Sequence, residues 1–537
     1  MCAEIFVHPK SPLLGNAIFR DLLGMGDFFP TGTPSPSCRI LFENTSVPVN
    51  IIGFPRDPGD LLDEGEGMKR DDLLIKQFVD EGLGNSSYLI GSSETGRAAV
   101  IDPQRDVDRY LQIAEGMGLR LAYSLDTHLH ADFVSGAREL AARVTEPFCI
   151  GASAKAALEF DHLPLNEGDT LSLGDISIGV LSTPGHTPEH ISFTVTSAGS
   201  AAPHSIFTGG ALIVGGAART DLLGHDFSEP LARQLYHTLH DKLLRFHDDV
   251  QVYPTHGGGS FCAAPTSNER TTTIGRERYT NRLAQVFTED EFVLLSLSDL
   301  PSYPAYYRYL REVNRRGPRL LGGVPVLEPL PPRDVEKALA NGVAVIDIRP
   351  PREFGGGHIP NSYGIPLVSP LNTWGGWVVP FGSPMILVAD HPIRREEATR
   401  QLIRIGYDDL RGYLDGGIAA WQAAGLPTAR TQFIGVNELH AWMQHDDAPL
   451  VVDVRSDAEW RIGHMPDAIH IEAGRITENG ATQLPRDRSV VLHCGSANRA
   501  TVGLSLLERL GYGNLMLLDT GFGNWRDAGY EVVKEVV

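Results

Sequence analysis

A cysteine in the C-terminal part of the chain occupies a position in which a thiol becomes a nucleophile. The apolar residues 489–493 predict a strand that ends at Cys494, and a helical pattern follows at 500–510. The N–H groups of the loop between them and the positive end of the helix dipole stabilise an anion, and Arg499 adds a fixed positive charge. We therefore expect a reactive Cys494 thiolate that can hold a persulfide sulfur, with a packed structural cysteine as the alternative. The loop that would surround the sulfur consists of Gly495, Ser496, Ala497 and Asn498.

Histidines follow three predicted strands in the N-terminal half of the chain. The first of these strands leads to His128, His130 and Asp132, and the next two lead to His186 and His256. Two histidines at i and i+2 with an acid at i+4 can bind one metal ion from a single turn. The ordered set of three strand-end sites predicts a metal site that is built from loops at one edge of a sheet.

Three further residues near these histidines have less specific patterns. Cys262 follows His256 by six residues, after a run of glycines, so it could lie at the mouth of the metal pocket as a second thiol that holds a persulfide. A packed, unreactive cysteine is the alternative. Arg219 and Asp221 either shape the same pocket or form a salt bridge at the surface.

The C-terminal part of the chain contains an internal repeat. Five residues recur 106 positions later, so that Asp347, Arg349, Glu353, His358 and Pro360 return as Asp453, Arg455, Glu459, His464 and Pro466. Further along the separation is 104, and Asp415, Gly417 and Trp421 return as Asp519, Gly521 and Trp525. Identical residues at two nearly equal separations indicate two copies of one α/β domain of roughly 100 residues.

The first copy of the repeat lacks the thiol. A separation of 104 places Asp390 at the position of Cys494, and Arg395 at the position of Arg499. A carboxylate cannot carry a sulfane sulfur. We therefore expect the first copy to be a structural or docking domain that keeps the fold and has no sulfurtransferase activity.

Alternating strand and helix patterns position these residues. Short apolar strands alternate with helical segments such as 106–117 and 229–246, which indicates α/β layers around sheets. A segment rich in proline and glycine at 317–332 predicts a linker. Residues 1–67 hold eight of the 36 prolines without a sustained period. We expect Met68 to be the natural start and the preceding residues to be a disordered or wrongly assigned extension, with a poorly ordered arm as the alternative.

Composition excludes several classes of protein. The 537 residues include 46 Lys and Arg against 67 Asp and Glu, which gives a net charge of −21. A nucleic-acid backbone or an anionic membrane is therefore not an expected partner. No apolar run approaches the roughly 18 residues that a membrane span needs. Five scattered cysteines do not form a disulfide framework, so we expect a cytoplasmic protein.

The thiol segment resembles the active-site loop of the rhodanese (sulfurtransferase) family. The resemblance covers residues 435–532 and includes the framing motifs at 453–455, 463–466 and 521–525. It implies that Cys494 takes a sulfane sulfur from a donor and passes it to a thiol or another acceptor.

The histidine segments resemble the metallo-β-lactamase superfamily. The motifs at 100–103, 183–186 and 218–221 are most similar to its persulfide dioxygenase branch, in the form that is fused to a rhodanese pair. Together the two resemblances imply an α/β multidomain chain. Its parts would be an αββα metallo-β-lactamase sandwich at 68–320, an inactive rhodanese-like domain at 321–430 and a rhodanese domain with a cysteine nucleophile at 431–537, the last two with parallel sheets.

The resemblance to persulfide dioxygenases also implies a cofactor. That branch holds a mononuclear Fe(II) on two histidines and one carboxylate, which leaves positions open for O₂ and substrate. His128 and His186 match the two histidine ligands, and His130, Asp132 and His256 match neighbouring positions of the superfamily pattern.

Two departures from the family pattern concern the metal. Phe133 replaces the last histidine of HxHxDH, which removes a ligand of a second metal. Gly210 replaces the aspartate of a Thr-Gly-Asp motif that would bind iron. Three interpretations follow: His130 or Asp132 completes a different site, Zn(II) binds through His128, His130 and His186, or no metal binds.

The two resemblances imply an enzyme that oxidises a low-molecular-weight persulfide to sulfite with O₂ and Fe(II), and that moves sulfane sulfur through Cys494. Its partners would be small persulfides, glutathione-like thiols, thiosulfate and sulfite, and a homo-oligomer is left open. The alternative is that the C-terminal rhodanese domain is the sole enzyme, preceded by a degenerate or zinc-binding scaffold. A zinc-dependent thioester hydrolase of the glyoxalase II type is a third interpretation, which the loss of two ligand positions disfavours.

Overall fold

A computed structural model describes residues 73–262, 267–298, 300–368, 370–478 and 480–534. The predicted extension at 1–67 and the start at Met68 lie outside these residues. Within the described part of the chain, no helix is both long and apolar enough to cross a bilayer.

The N-terminal half folds into two six-stranded sheets in which neighbours along the chain are also neighbours in space. The first sheet contains β1 (Leu73–Asp80), β2 (Asn85–Ser92), β3 (Arg97–Ile101), β4 (Arg120–Leu125), β5 (Cys149–Ser153) and β6 (Leu163–Leu165). The second contains β7 (Thr170–Ser172), β8 (Ser177–Ser182), β9 (Ile191–Thr196), β10 (Ser205–Gly209), β11 (Gln251–Pro254) and β12 (Thr272–Thr273). The helices are α1 (Asp108–Gly116), α2 (Ala137–Arg143), α3 (His225–His237), α4 (Ile274–Thr280), α5 (Glu289–Leu297) and α6 (Tyr307–Arg316).

Each sheet packs against the other sheet on one face and against helices on the opposite face. Side chains that alternate along the strands supply apolar contacts on both faces. Tyr88 of β2 packs between the two sheets, whereas Leu89 packs with Tyr110 of α1 on the outer side. In the second sheet, Phe207 faces the space between the sheets and Ile206 packs on the helical side. Successive residues of a strand point to opposite faces, so these buried strands are apolar on both. The result is the predicted αββα sandwich.

The C-terminal half contains two five-stranded sheets in which every strand pair is parallel. The first has β13 (Pro329–Leu330), β14 (Ala344–Asp347), β15 (Tyr363–Gly364), β16 (Met385–Val388) and β17 (Leu410–Leu414). Its helices are α7 (Pro332–Ala340), α8 (Pro351–Gly356), α9 (Leu371–Val378), α10 (Pro392–Arg404) and α11 (Gly417–Ala423). The predicted linker at 317–332 therefore ends in a short strand and the start of a helix.

The last sheet repeats this order. Its strands are β18 (Gln432–Ile434), β19 (Leu450–Asp453), β20 (Ile469–His470), β21 (Val490–His493) and β22 (Leu515–Leu518), and its helices are α12 (Val436–Trp442), α13 (Asp457–Ile462), α14 (Asn498–Arg509) and α15 (Phe522–Asp527). The spatial order is β13-β17-β16-β14-β15 in one sheet and β18-β22-β21-β19-β20 in the other. The predicted fold class is confirmed, while the domain boundaries stay a prediction.

One buried apolar cluster runs through all three parts of the chain. It includes Phe133 and Tyr306 from the first part, Trp377 and Leu402 from the second, and Ile476 from the third. Every residue of α9 is buried. The first rhodanese-like part is therefore packed between its neighbours.

Candidate metal and thiol sites

Three histidines point one ring nitrogen each into a common space. His128, His186 and His256 follow β4, β8 and β11, and their ligand atoms lie within 4.8 Å of one another. The Nε2 atoms of His128 and His256 are 3.3 Å apart. All three side chains are buried. This separation suits two ligands of one ion at bond lengths of about 2.1 Å.

Hydrogen bonds fix the proton positions of two of these rings. Nδ1 of His186 donates to the main-chain oxygen of Arg219 at 2.6 Å. Nδ1 of His256 lies 3.2 Å from Oδ2 of Asp132. Burial raises the pKa of Asp132, but the contact with His256 outweighs it and holds that pKa below its ordinary value. A carbonyl and an ionised carboxylate can only accept, so each Nδ1 carries the proton and each Nε2 keeps a lone pair.

His128 has the same arrangement through a longer chain of hydrogen bonds. The Thr127 hydroxyl donates its proton to Oδ2 of Asp102 at 2.8 Å, so it accepts from Nδ1 of His128 at 2.9 Å. Burial holds the pKa of His128 well below its ordinary value, and it lowers that of His186 to about 3. Neutral rings whose lone pairs converge, and whose far nitrogens are held by acceptors, fit a divalent cation such as Zn(II) or Fe(II).

His130 and Asp132 form the edge of this site. Nε2 of His130 lies 3.1 Å from Oδ1 of Asp102, and its ring stacks on Phe133 with centroids 4.1 Å apart. Nδ1 of His130 and Oδ1 of Asp132 are buried and have no hydrogen-bond partner among the described residues. His130 and Asp132 also form a second candidate group with His256. His256 therefore stands between two sets of ligand atoms.

Gly210 leaves no room for the carboxylate that the family pattern has at this position. A Cβ at Gly210 would lie 2.6 Å from Cδ2 of His186 and 2.9 Å from Cβ of Ala218. The N–H of Gly210 donates to Nε2 of His190 at 3.0 Å. The third ligand that this structure brings to His128 and His186 is therefore the His256 imidazole.

Cys262 is close to the site but buried. Its thiol contacts the side chains of Asp132 and Tyr307, and it is 1 % exposed. Burial, together with the charge of Asp132, raises the pKa of Cys262 well above its ordinary value. Cys262 is thus a protonated thiol beside the metal group, and its role as a second persulfide carrier stays a prediction.

Arg219 and Asp221 form a bidentate ion pair, with nitrogen–oxygen distances of 2.6 and 2.7 Å. The Arg219 side chain is buried and also donates to the carbonyl of Pro301 at 2.7 Å. The main-chain oxygen of Arg219 accepts the hydrogen bond from Nδ1 of His186. The ion pair with Asp221 therefore fixes a residue that contacts a candidate metal ligand.

Cys494 directly follows β21, and α14 begins four residues later. Its side chain is 1 % exposed. Ala497 has a φ of +66°, which turns the loop into the helix. Within the described residues, the N–H groups of Ser496 to Ala500 find no acceptor in the protein. Such unpaired donors at a helix start favour an anion.

Arg499 is held beside this loop by Glu459. Its guanidinium makes two contacts with that carboxylate, at 2.5 and 2.8 Å. Burial raises the pKa of Glu459, but the contact with Arg499 outweighs it and lowers that pKa to about 2. Glu459 also completes a capping box with Ser456 at the start of α13. The positive charge near Cys494 is therefore fixed in place.

Comparison with known proteins agrees with this geometry. The chain matches the family model of the metallo-beta-lactamase superfamily at residues 80–256, and that of the rhodanese-like domain at 331–424 and 435–528. It is 31% identical over 201 residues to the human persulfide dioxygenase ETHE1, a match that covers 37% of this chain and 74% of that protein. The chain belongs to the metallo-β-lactamase superfamily. The predicted fusion of a domain of this superfamily with two rhodanese-like domains is confirmed.

Two further proteins are similar to parts of this chain. A crystal structure of a metallo-beta-lactamase from Staphylococcus aureus subsp. aureus COL is 31% identical, with a TM-score of 0.57 over 64% of this chain and 99% of that chain. The cytoplasmic hydroxyacylglutathione hydrolase of Arabidopsis thaliana is 34% identical over 173 residues, which covers 32% of this chain and 63% of that protein. The superfamily fold thus hosts more than one chemistry.

The first rhodanese-like domain aligns with the second in a register that differs by one residue from the sequence-based alignment. Asp347 pairs with Val388 in the first sheet, and Asp453 pairs with His493 in the second. The residue that corresponds to Cys494 is therefore Ala389, and the prediction of Asp390 is wrong. By the same shift of 105, the counterpart of Arg499 is Arg394 in place of Arg395.

A bulge explains the error. In the first sheet, Met385 pairs with Leu410 but Ile386 pairs with Gly412, so β17 holds one extra residue. The second sheet pairs Val490 to Leu492 with Leu515 to Leu517 without interruption. The separation of 104 thus holds only beyond the bulge. The side chain of Ala389 is not nucleophilic. The first copy therefore lacks a thiol at this position, as predicted, but the residue there is Ala389.

Two residues of the metallo-β-lactamase domain were not identified as functional from the sequence. Asn85 donates to Oδ2 of Asp132 at 2.7 Å, and its oxygen lies 3.2 Å from Nδ1 of His256. Asp102 accepts from the Thr127 N–H at 2.7 Å and from the Thr255 hydroxyl. The motif at 100–103, which contains Asp102 at the end of an apolar strand pattern, was the available signal for that residue. Asn85 gave none, since it acts from a strand end far away in the sequence.

Proposed function

We propose that this chain is an enzyme of sulfur metabolism that transfers sulfane sulfur through Cys494. The observation that carries the proposal is the position of Cys494 between the end of β21 and the unpaired N–H groups at the start of α14. The thiolate attacks the outer sulfur of a persulfide RSSH, the S–S bond breaks, and RSH leaves with the proton. Loop amides and the fixed charge of Arg499 would stabilise the resulting cysteine persulfide.

We further propose that the metallo-β-lactamase domain oxidises a low-molecular-weight persulfide. Fe(II) held by His128, His186 and His256 would supply open coordination positions for O₂ and the substrate. The reaction balances as RSSH + O₂ + H₂O → RSH + H₂SO₃, in which the outer sulfur is oxidised and O₂ is reduced. The main-chain oxygen of Arg219 and the side chain of Asn85 would orient the rings of His186 and His256 through their hydrogen bonds. Asp102 would orient the His128 ring through the Thr127 hydroxyl.

The two activities can be joined by their products. Sulfite from the first reaction would attack the outer sulfur of the Cys494 persulfide and release thiosulfate together with the free thiolate. Fusion raises the effective concentration of a reactive intermediate near its next site. The partners of the enzyme would be glutathione-like persulfides and thiols, sulfite and thiosulfate, in the cytoplasm.

The test is aerobic incubation of the purified, iron-loaded chain with glutathione persulfide. We expect O₂ uptake with sulfite release, and thiosulfate in addition when Cys494 is intact. Cys494→Ser should keep O₂ uptake and lose thiosulfate formation. Absence of O₂ uptake in the iron-loaded protein would remove the dioxygenase activity and leave the sulfurtransferase.

A second candidate function is a sulfurtransferase whose metallo-β-lactamase domain is a scaffold or a Zn(II) site. The observation that favours it is Gly210, where neither a carboxylate nor the space for one is present. Three neutral histidines are also the ligand set of catalytic zinc sites. Metal analysis separates the two functions, since protein with full sulfurtransferase activity and zinc or no metal supports this second candidate.

A further inference from the structure

We infer that the first rhodanese-like domain, which lacks a thiol, positions the ligands of the metal site, and that Arg404 is its principal positioning residue. The inference rests on the proposed metal site. It assigns a function to a domain that cannot transfer sulfur. Arg404 is the last residue of α10, and it is 9% exposed.

The main chain of Arg404 holds the loop that carries the metal ligands. The N–H of Val134 donates to the main-chain oxygen of Arg404 at 2.7 Å. Val134 lies two residues after Asp132, whose own main-chain oxygen accepts from the Tyr306 hydroxyl at 2.8 Å. The loop after β4 is therefore anchored by Arg404 of the first rhodanese-like domain and by Tyr306 of its own domain.

The guanidinium of Arg404 holds a second segment of the metal site. It makes two contacts with Asp106, at 2.6 and 2.9 Å, and one with Asp80 at 2.9 Å. The other carboxylate oxygen of Asp80 accepts from the N–H groups of Gly82 and Leu83, at 2.9 and 3.1 Å. Asp80 thereby fixes the turn between β1 and β2.

This turn ends at a residue that contacts one proposed ligand and the carboxylate that holds it. Asn85 begins β2, and it contacts both Asp132 and Nδ1 of His256. A shift of the turn would move Asn85, and with it the acceptor that holds the His256 ring. Arg404 thus reaches the site along two routes, through Val134 and through the turn.

Helix α9 of the same domain holds this turn independently. The Thr373 hydroxyl donates to the main-chain oxygen of Gly82 at 2.8 Å. A Cβ on Gly82 would lie 2.7 Å from Oδ1 of Asn372, so the helix and the turn are in close contact. Two separate elements of the thiol-free copy therefore hold one turn of the metallo-β-lactamase domain.

The test uses the full-length protein and measures Zn(II) affinity by competition with a chelator. Arg404→Lys cannot contact Asp106 through two nitrogens while it reaches Asp80. We expect it to weaken Zn(II) binding by up to about 10-fold, the lower end of the range for groups that contact metal ligands directly, because Arg404 acts through Asp80 and Asn85. Amide exchange at Gly82 and Leu83 of the turn should also accelerate, and sulfur transfer through Cys494 should keep its wild-type rate.

Two further variants keep the test decisive. Thr373→Val removes the hydrogen bond from α9 to Gly82 and leaves no unpaired buried charge. We expect it to weaken Zn(II) binding less than Arg404→Lys does. Arg411→Met is the matched control, since Arg411 belongs to the same domain but pairs with Asp409 on its exposed surface. Wild-type affinity in both Arg404→Lys and Thr373→Val would overturn the inference. Failure of the unmodified chain to bind Zn(II) or Fe(II) would instead remove the proposed metal site, together with the inference that rests on it.

Discussion

The Nε2 atoms of His128 and His256 lie 3.3 Å apart, and each ring holds its proton on the opposite nitrogen. Two lone pairs at this distance repel one another unless a cation lies between them. The separation of these two Nε2 atoms therefore locates the candidate metal site more precisely than the HxHxD motif does.

Replacement of His256 should weaken metal binding more than loss of an orienting group does. His256→Ala removes one of three converging nitrogens, so we expect the dissociation constant for Zn(II) to rise by more than about 100-fold. Chelator competition measures it. His237→Ala is the control, because His237 is an exposed residue of α3 that pairs with Asp241. Equal affinities of the two variants would show that His256 is not a ligand.

Restoring the family's aspartate at Gly210 should not restore an iron site. The new Cβ would press on the His186 ring and on Ala218, so we expect Gly210→Asp to lose metal and about 1–3 kcal/mol of stability. Gly210→Ala adds the same Cβ without the carboxylate and should behave similarly. Metal analysis and denaturant unfolding are the measurements. A gain of iron in Gly210→Asp alone would contradict the steric argument.

Sulfur transfer should depend on the thiol of the second repeat alone. Cys494→Ser should reduce thiosulfate and persulfide sulfurtransferase activity to the background rate. Asp390→Ala should have no effect, because Asp390 is an exposed residue one position beyond the counterpart of Cys494. A steady-state assay with cyanide or a thiol as acceptor measures both. Residual transfer in Cys494→Ser would point to another nucleophile.

Acid should destabilise the metal-free protein through its buried histidines. The pKa of His186 is about 3 in the folded state because of burial, against about 6.5 in the unfolded chain. Between these values the unfolded state binds more protons, so the free energy of unfolding falls as the pH falls, by about 1.4 kcal/mol per pH unit for this group. Urea unfolding at several pH values measures the slope.

His186→Gln is the matched variant for this measurement. It removes one titrating group and leaves the carboxylates and the other histidines unchanged, so its slope between pH 6.5 and pH 4 should be shallower. Parallel slopes for the two proteins would show that His186 is not buried in its neutral form.

The sequence by itself determined the elements and much of the site. Strand-end histidines at 128, 186 and 256 and the thiol at 494 could be identified because a strand followed by a polar turn is a local pattern. The two rhodanese-like copies could be identified because identical residues recur at nearly constant separations. The strand-end motifs and the repeat are patterns in the order of the residues, so they can be read from the sequence alone.

Only the tertiary structure decided which ligand atoms converge and what holds them. His256 joins His128 because Asn85 and Asp132 orient its ring, and Arg404 reaches the loop of the same site at Val134, 270 residues away in the chain. The one-residue bulge in β17 moved the counterpart of Cys494 from Asp390 to Ala389. Such contacts join segments that are distant in sequence, and packing alone brings them together.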